Sequence, residues 1–294
     1  SLSIFNGVKI FMAGKLLGVI GGSGLYQMKG LDVIEKVKGD TPFGSPSDSI
    51  VMGELEGVKV AFLPRHGVGH VIPPSEINFR ANIFAMKKIG VERIISVSAV
   101  GGMKENVPPG HFVVPHQFID RTHLRISTFF TQGMVGHVSL ADPICLSTAK
   151  ALFRAAQKAG ANVHEGGTYI CIEGPQFSTR AESHLYRQWN VDVIGMTNVT
   201  EAKLAREAGL CYSTLALVTD FDCWHVEEEP VILEAVLEIM HKNVEQAQLV
   251  LKELIPMLGS IKPCSCCEAA KFAVVTDPEK IPQTLKDELS ILFG

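Results

Sequence analysis

Leu16-Leu17-Gly18-Val19-Ile20-Gly21-Gly22-Ser23-Gly24 decides the fold. An uncharged apolar run that breaks into a glycine turn reads as a buried strand handing over to a loop. Outward from it the chain keeps alternating apolar runs with breakers. Ile50–Leu55 and 58–63, separated by Glu56-Gly57, read as a hairpin. Apolar residues at helical spacing predict a helix over 75–89, with Ser75 as its cap and Gly90 as its stop. The β-branched run 93–97 then predicts a central strand.

The second half repeats the style without repeating the sequence. Helices are predicted over 147–160, from Thr179 with Glu182 completing a capping box, over 198–209, over 230–258 and over 278–292. Strands are predicted at Thr168–Ile172 and 212–219. Strands alternating with helices point to an α/β fold. No linker rich in Pro, Gly or Ser divides the chain, so residues 15–294 are expected to form a single domain behind an N-terminal extension, 1–14.

The 294 residues carry a net charge of -4 with acids and bases interspersed, which speaks against a nucleic-acid-binding surface. No apolar run approaches the roughly 20 residues that span a bilayer, and the first dozen residues do not read as a secretion signal. A cytoplasmic protein is the expectation. Its seven cysteines are expected to be reduced. For Cys264-Ser265-Cys266-Cys267, unpaired thiols in a surface loop or a local redox element are expected rather than zinc, because no further Cys or His follows close by. No metal is expected.

Ligands of open α/β sheets bind where strands end, and four strand ends carry chemistry. The glycine turn at 21–24 can present backbone N–H groups to an anion, with Ser23 adding a hydroxyl. It lacks dinucleotide-binding spacing, since Gln27 stands where a last glycine is needed, and no P-loop lysine follows. Arg65-His66-Gly67 places a guanidinium fork just past a strand, suited to a bidentate grip on phosphate. His66 and His70, with Gly67 and Gly69 around them, do not read as a helical metal pair. Ser96-Val97-Ser98-Ala99 ends a strand in small residues, and Ser98 can donate. Asp220-Phe221-Asp222 puts two carboxyl groups after a buried strand, suited to acid chemistry or to holding a basic heterocycle.

Together with Asn78-Phe-Arg-Ala-Asn82, Gln117-Phe-Ile-Asp120, Glu173-Gly-Pro-Gln-Phe-Ser178, Gly195-Met-Thr197 and Thr219-Asp-Phe-Asp-Cys-Trp224, these stretches resemble, in order from about residue 16 to 258, the 5'-methylthioadenosine phosphorylases of the purine nucleoside phosphorylase family. The resemblance implies a three-layer α-β-α fold with a mixed, partly barrel-like sheet, assembled as a homotrimer or a dimer of trimers. It implies phosphorolysis of S-methyl-5'-thioadenosine to adenine and 5-methylthioribose 1-phosphate, in purine and methionine salvage. No cofactor is implied, inorganic phosphate being a co-substrate.

By the same resemblance Ser23, Arg65, His66, Ser98, Ala99 and Thr197 form the phosphate site. Met196 holds the ribose hydroxyls, and Phe177 walls the base. Asp220 and Asp222, with Phe221 between them, meet the 6-amino group and N7, and a protonated Asp220 would share its proton with N7. Leu233, Val236 and Ser178 fit the methylthio group, and His137 reaches a neighbouring subunit's pocket. Phosphorylases of 6-oxopurines usually carry Asn where Asp220 stands, so Asp220 implies adenine. Departures from the pattern are Gln176 for a common arginine, His111 and His116 for common acids, and Ser23 for threonine. The Cys-x-Cys element resembles one that carries stabilising disulfides in some archaeal members. The alternatives are a methylthioinosine or general purine nucleoside phosphorylase, a nucleosidase using water, and a nucleoside-binding protein without turnover.

Overall fold

The computed structural model describes residues 4–5, 8–9, 16–225, 233–261 and 264–293. Two short strands, β1 (Ile4–Phe5) and β2 (Val8–Lys9), pair antiparallel; the rest of the expected extension lies outside the described residues. The deciding stretch forms β3 (Leu16–Gly21), all six residues buried. It is followed by β4 (Leu31–Val37), β5 (Ile50–Leu55), β6 (Val58–Pro64), helix α1 (Phe79–Lys88), β7 (Val91–Gly102), β8 (Phe112–Val114) and β9 (Gln117–Arg121). The second half runs α2 (Leu146–Lys158), β10 (Val163–Glu165), β11 (Thr168–Ile172), α3 (Arg180–Gln188), β12 (Val193–Gly195), α4 (Asn198–Glu207), β13 (Cys211–Asp220), α5 (Leu233–Leu254) and α6 (Gln283–Phe293).

Eleven of these strands form one mixed sheet, with a main path β10-β8-β13-β7-β3-β6-β5-β4. At its centre β13, β7, β3 and β6 run parallel, so their carboxyl ends lie side by side. Central β7 is shared: Gly101 and Gly102 also pair antiparallel with β12, which leads through β11 to β9. This branch gives the mixed sheet that the resemblance implied.

Side chains alternate across a strand, and the start of β13 shows what lies on each face. The Tyr212 hydroxyl donates to Glu201 of α4, whereas the next residue, Ser213, donates to the Cys145 carbonyl ahead of α2. Helices therefore cover both faces, α1 and α4 on one and α2 and α5 on the other, giving three layers. Between them Leu17, Ile20, Phe62, Ile94, Leu152 and Leu215 are almost wholly buried, and such burial stabilises the fold by about 1.5–3 kcal/mol per large side chain. No described helix is long and apolar enough to cross a membrane.

Several local expectations are corrected. Pro73 and Pro74 hold Ser75 in a 3-10 turn, and α1 starts at Phe79, capped by Asn78, whose side chain accepts from the Ala81 N–H at 3.1 Å. The Thr179–Glu182 capping box is present. Edge strand β4 is not legible in the sequence because Asp32, Glu35 and Lys36 break its apolar pattern, as suits a sheet edge. The last helix, α6, starts at Gln283 rather than at 278, so Ile281 precedes it; Ile281, Leu285, Leu289 and Leu292 are all buried in the main core, with α6 against α1. Of the expected surface-loop thiols Cys267 is exposed, but Cys264 and Cys266 meet Cys145 and Cys211, which are remote in sequence, and Cys266 is buried.

Candidate active site

The four chemistry-bearing strand ends converge because their strands are neighbours and parallel. Register aligns Gly21 with Pro64, Ile20 with Ser96 and Asp220 with Gly101. An added Cβ at Gly21 would stand 3.1 Å from the Val97 carbonyl oxygen and 2.5 Å from the Leu25 side chain, so this close approach of β3 to β7 needs glycine. Gly22 then turns outward with open space beside it.

Arg65 is buried, and its fork points inward. Nε donates to Glu201 Oε1 at 2.5 Å, Nη1 to the Val97 carbonyl at 2.9 Å, and Nη2 to Ser96 Oγ at 2.5 Å, with Glu201 Oε2 and the Ile20 carbonyl each at 3.2 Å. A carboxylate of the protein thus occupies the Nε–Nη2 edge, one of the two edges a bidentate grip on an anion would use. Burial works to lower the Arg65 pKa, but the Glu201 carboxylate outweighs it and the net shift is upward. Around Glu201 the Tyr212 hydroxyl and Ser96 also donate, and Asn198 bridges Ser96, Tyr212 and Thr214. This wholly buried network ties β3, β6, β7, β13 and α4 together beneath the site. Sequence reasoning missed it; the signal available was an acid, Glu201, among residues on an apolar helix face.

His66 follows on the outer side. Its Nδ1 lies 2.8 Å from the Ile72 carbonyl, so in the neutral ring Nδ1 donates and Nε2 accepts. Its ring stacks on His70 at 4.2 Å. Burial and the Arg65 charge push its pKa down to about 4. In the unfolded chain the group protonates near pH 6.5, so stability is expected to fall as pH drops from about 6.5 to 4, to level off below, and to be unaffected above. Histidine NMR titration should give a midpoint near 4, and His66→Asn should remove that part of the pH dependence; a midpoint above 6 would contradict it.

On β7 the Ser98 hydroxyl is buried beside the Tyr169 hydroxyl without a well-formed hydrogen bond, while Ala99, amid buried neighbours, is exposed. The strand opens here. Thr197 is buried at the start of α4, and its hydroxyl donates to Asn198 Oδ1 rather than capping the first turn. Half-buried Met196 packs on Gly174. Gly195 is required because an added Cβ would overlap the buried Tyr169 hydroxyl.

At the end of β13, Asp220 Oδ1 accepts from the Asp222 N–H and Oδ2 from the Thr219 hydroxyl, both at 2.8 Å. The Asp222 carboxylate accepts from Ser178 Oγ at 2.9 Å and from Ser183 Oγ at 2.5 Å, so it locks the loop after β11 to α3. Ser178 and Asp222 form one unit. The same loop is held at its other end by Glu173, which accepts from the His123 and Leu124 amides and from Arg125. Phe221 stacks on His225 at 4.7 Å. Phe177 is 82% exposed in the single chain. His137 lies on the 122–145 loop, exposed, with its amide on the Ala273 carbonyl. The side chains of Ser23, Leu233 and Val236 lie outside the described residues.

Residues 16–256 match the phosphorylase superfamily. S-methyl-5'-thioadenosine phosphorylase of Geobacter sulfurreducens is 52% identical over 281 residues, 95% of this chain and 98% of its own. A crystal structure of a methylthioadenosine phosphorylase sourced from an antarctic soil metagenomic library matches with a TM-score of 0.92 at 51% identity, covering 96% of this chain and 99% of that one. The methylthioadenosine phosphorylase from Schistosoma mansoni in complex with adenine matches with a TM-score of 0.81 at 39% identity, covering 88% and 96%. A sheet whose parallel strand ends gather these groups, and relatives half identical over nearly its whole length, show that the chain belongs to the phosphorylase superfamily.

Proposed function

We propose that the chain phosphorolyses S-methyl-5'-thioadenosine, giving adenine and 5-methylthioribose 1-phosphate, with inorganic phosphate as co-substrate and no cofactor. The observation that carries this reading is the offset between Ser98 and Asp220 on neighbouring strands. Asp220 stands opposite Gly101, three residues beyond Ser98, or about 10 Å at ~3.3 Å per residue. That is about the span from a phosphate beneath C1' to the 6-amino group of a purine. Breaking the N-glycosidic bond builds positive charge on the sugar and negative charge on the leaving purine. A phosphate held at the strand ends attacks C1' and offsets the first, and Asp220 and Asp222 serve the second at the base.

Ser98 donates to the phosphate, together with the backbone at Gly22 and at Thr197, where the first turn of α4 carries no side-chain cap. Neutral His66 offers Nε2 as an acceptor, which suits the one hydroxyl left on hydrogen phosphate. Asp220, an acceptor, suits the donor 6-amino group of adenine over a 6-oxo group. Met196 and Phe177 flank the sugar and base, and Leu233, Val236 and Ser178 are assigned to the methylthio group. The assembly follows the trimer or dimer of trimers of the resemblance, with His137 reaching a neighbour; Leu124, Ile126 and Val135, exposed on the same loop, support an interface there. A cytoplasmic enzyme of purine and methionine salvage fits this reading.

The test is release of free base from methylthioadenosine, methylthioinosine, adenosine and inosine, each with and without phosphate. Strong phosphate-dependent release from methylthioadenosine is expected. Preference for the inosine forms, or release without phosphate, would overturn the reading. Ser98→Ala should shift the denaturation midpoint little, because the hydroxyl forms no well-made hydrogen bond in the fold beyond its approach to Tyr169, yet raise the KM for phosphate about tenfold or more, the value of one hydrogen bond to a charged group.

A further inference from the structure

The sulfur atoms of Cys145, Cys211, Cys264 and Cys266 all lie within 4.8 Å of one another. They come from three places in the chain: Cys145 immediately precedes α2, Cys211 opens β13, and Cys264 and Cys266 straddle the start of a 3-10 turn, Ser265–Glu268. Cys264 Sγ is 3.2 Å from Cys211 Sγ and 3.7 Å from Cys145 Sγ. Four sulfurs bound to one zinc at ~2.3 Å sit at the corners of a tetrahedron with edges of ~3.8 Å. A disulfide instead needs two sulfurs at ~2.0 Å. Four sulfurs mutually within 4.8 Å can all reach one centre.

The backbone that carries these ligands is fixed. The Cys145 amide donates to the Tyr212 carbonyl at 2.9 Å, and Ser213 Oγ donates to the Cys145 carbonyl at 3.2 Å. Gly209, at φ +65°, lets the turn at Cys267 approach, since an added Cβ would stand 3.1 Å from the Cys267 carbonyl oxygen. Hydrogen-bond donors suited to thiolates surround the sulfurs. Thr148 Oγ1 donates to Cys145 Sγ at 3.2 Å, and Arg93 in turn donates to Thr148 at 2.7 Å. Arg206 Nη1 reaches Cys266 Sγ at 3.9 Å. The cluster borders a cleft of about 560 Å³ shared with Arg206 and Phe272, which gives an ion a way in.

We propose that Cys145, Cys211, Cys264 and Cys266 hold a single zinc ion in a closed tetrathiolate site that ties the carboxyl-terminal segment to the sheet. Binding releases four thiol protons and leaves a complex of net charge -2, which Arg206 and Arg93 offset. With four protein ligands no position is open to substrate, so the ion is structural. It lies at the opposite end of β13 from Asp220, nine residues or about 30 Å away at ~3.3 Å per residue.

The experiment is metal analysis of the purified full chain by plasma mass spectrometry, with thiol titration after denaturation. About one zinc per chain and seven free thiols are expected. Cys211→Ser should lose the zinc, while Cys267→Ser, an exposed thiol one residue beyond the cluster, should keep it. Should Cys211→Ser not fold, cobalt(II) replacement in the unaltered protein supplies the second measurement, and the intense visible bands of a tetrahedral tetrathiolate are expected. A metal-free chain with seven free thiols, or one in which the four cysteines form two disulfides, would overturn the site. A chain holding iron at that stoichiometry would overturn the assignment to zinc.

Discussion

Asp220→Asn is expected to lower kcat/KM for methylthioadenosine by about a thousandfold and to raise it for methylthioinosine. The aspartate presents two acceptor oxygens, one satisfied by the Asp222 N–H and one beside the Thr219 hydroxyl. Asparagine keeps one oxygen and replaces the other with a donor. If the oxygen stays on the Asp222 N–H, the amide nitrogen faces the base, where adenine also presents a donor. Two donors left unpaired in a closed site cost far more than one lost contact, and a thousandfold corresponds to about 4 kcal/mol of transition-state stabilisation. A 6-oxo base presents an acceptor at the same place and gains what adenine loses. The measurement is base release from both substrates under saturating phosphate. Unchanged selectivity between them would show that Asp220 does not face the 6-position.

Glu201→Gln is expected to destabilise the fold by about 3–5 kcal/mol and to raise the KM for phosphate. Glu201 is wholly buried and its carboxylate answers the Arg65 guanidinium across two hydrogen bonds. Neutralising it leaves a buried cation without its counter-charge, the costly way to break such a pair. Glutamine keeps one acceptor oxygen, so its NH2 is set against either the Arg65 Nε–H or the Ser96 and Tyr212 hydroxyls, which donate to the other oxygen. The functional effect follows from where Arg65 sits. Its backbone N–H bonds the Gly21 carbonyl and its fork bonds the Val97 and Ile20 carbonyls, so loosening it moves the strand ends that carry Gly22, His66 and Ser98. Equilibrium denaturation of the two proteins checks the first effect and phosphate titration the second. A loss below 1 kcal/mol would mean that the pair is not the keystone described.

The strands most legible in the sequence were those buried on both faces. Leu16–Gly21, Thr168–Ile172 and the core of Cys211–Asp220 are continuous apolar runs with clear breakers, and they form where expected. The three-residue strands β8, β10 and β12 were not legible, because so short a run has no periodicity to read. The start of α1 was misplaced because Ser75 and Asn78 are both good caps, and only the two prolines ahead of Ser75 decide between them.

The sequence by itself determined the α/β class, the strand ends at which chemistry gathers, and the identity of the groups brought there, because motif residues next to a strand end are set by local chain geometry. Only the tertiary structure decided how those groups are spent. Arg65 looked free to grip an anion until Glu201, 136 residues away, occupied its Nε–Nη2 edge. Asp222 looked open until Ser178 and Ser183 were seen to donate to it. Four cysteines from three distant segments looked unrelated until the start of β13 brought their sulfurs together. The reason is common to all three: a hydrogen bond or a ligand set is satisfied by whatever lies within a few ångströms, and separation along the chain does not enter it.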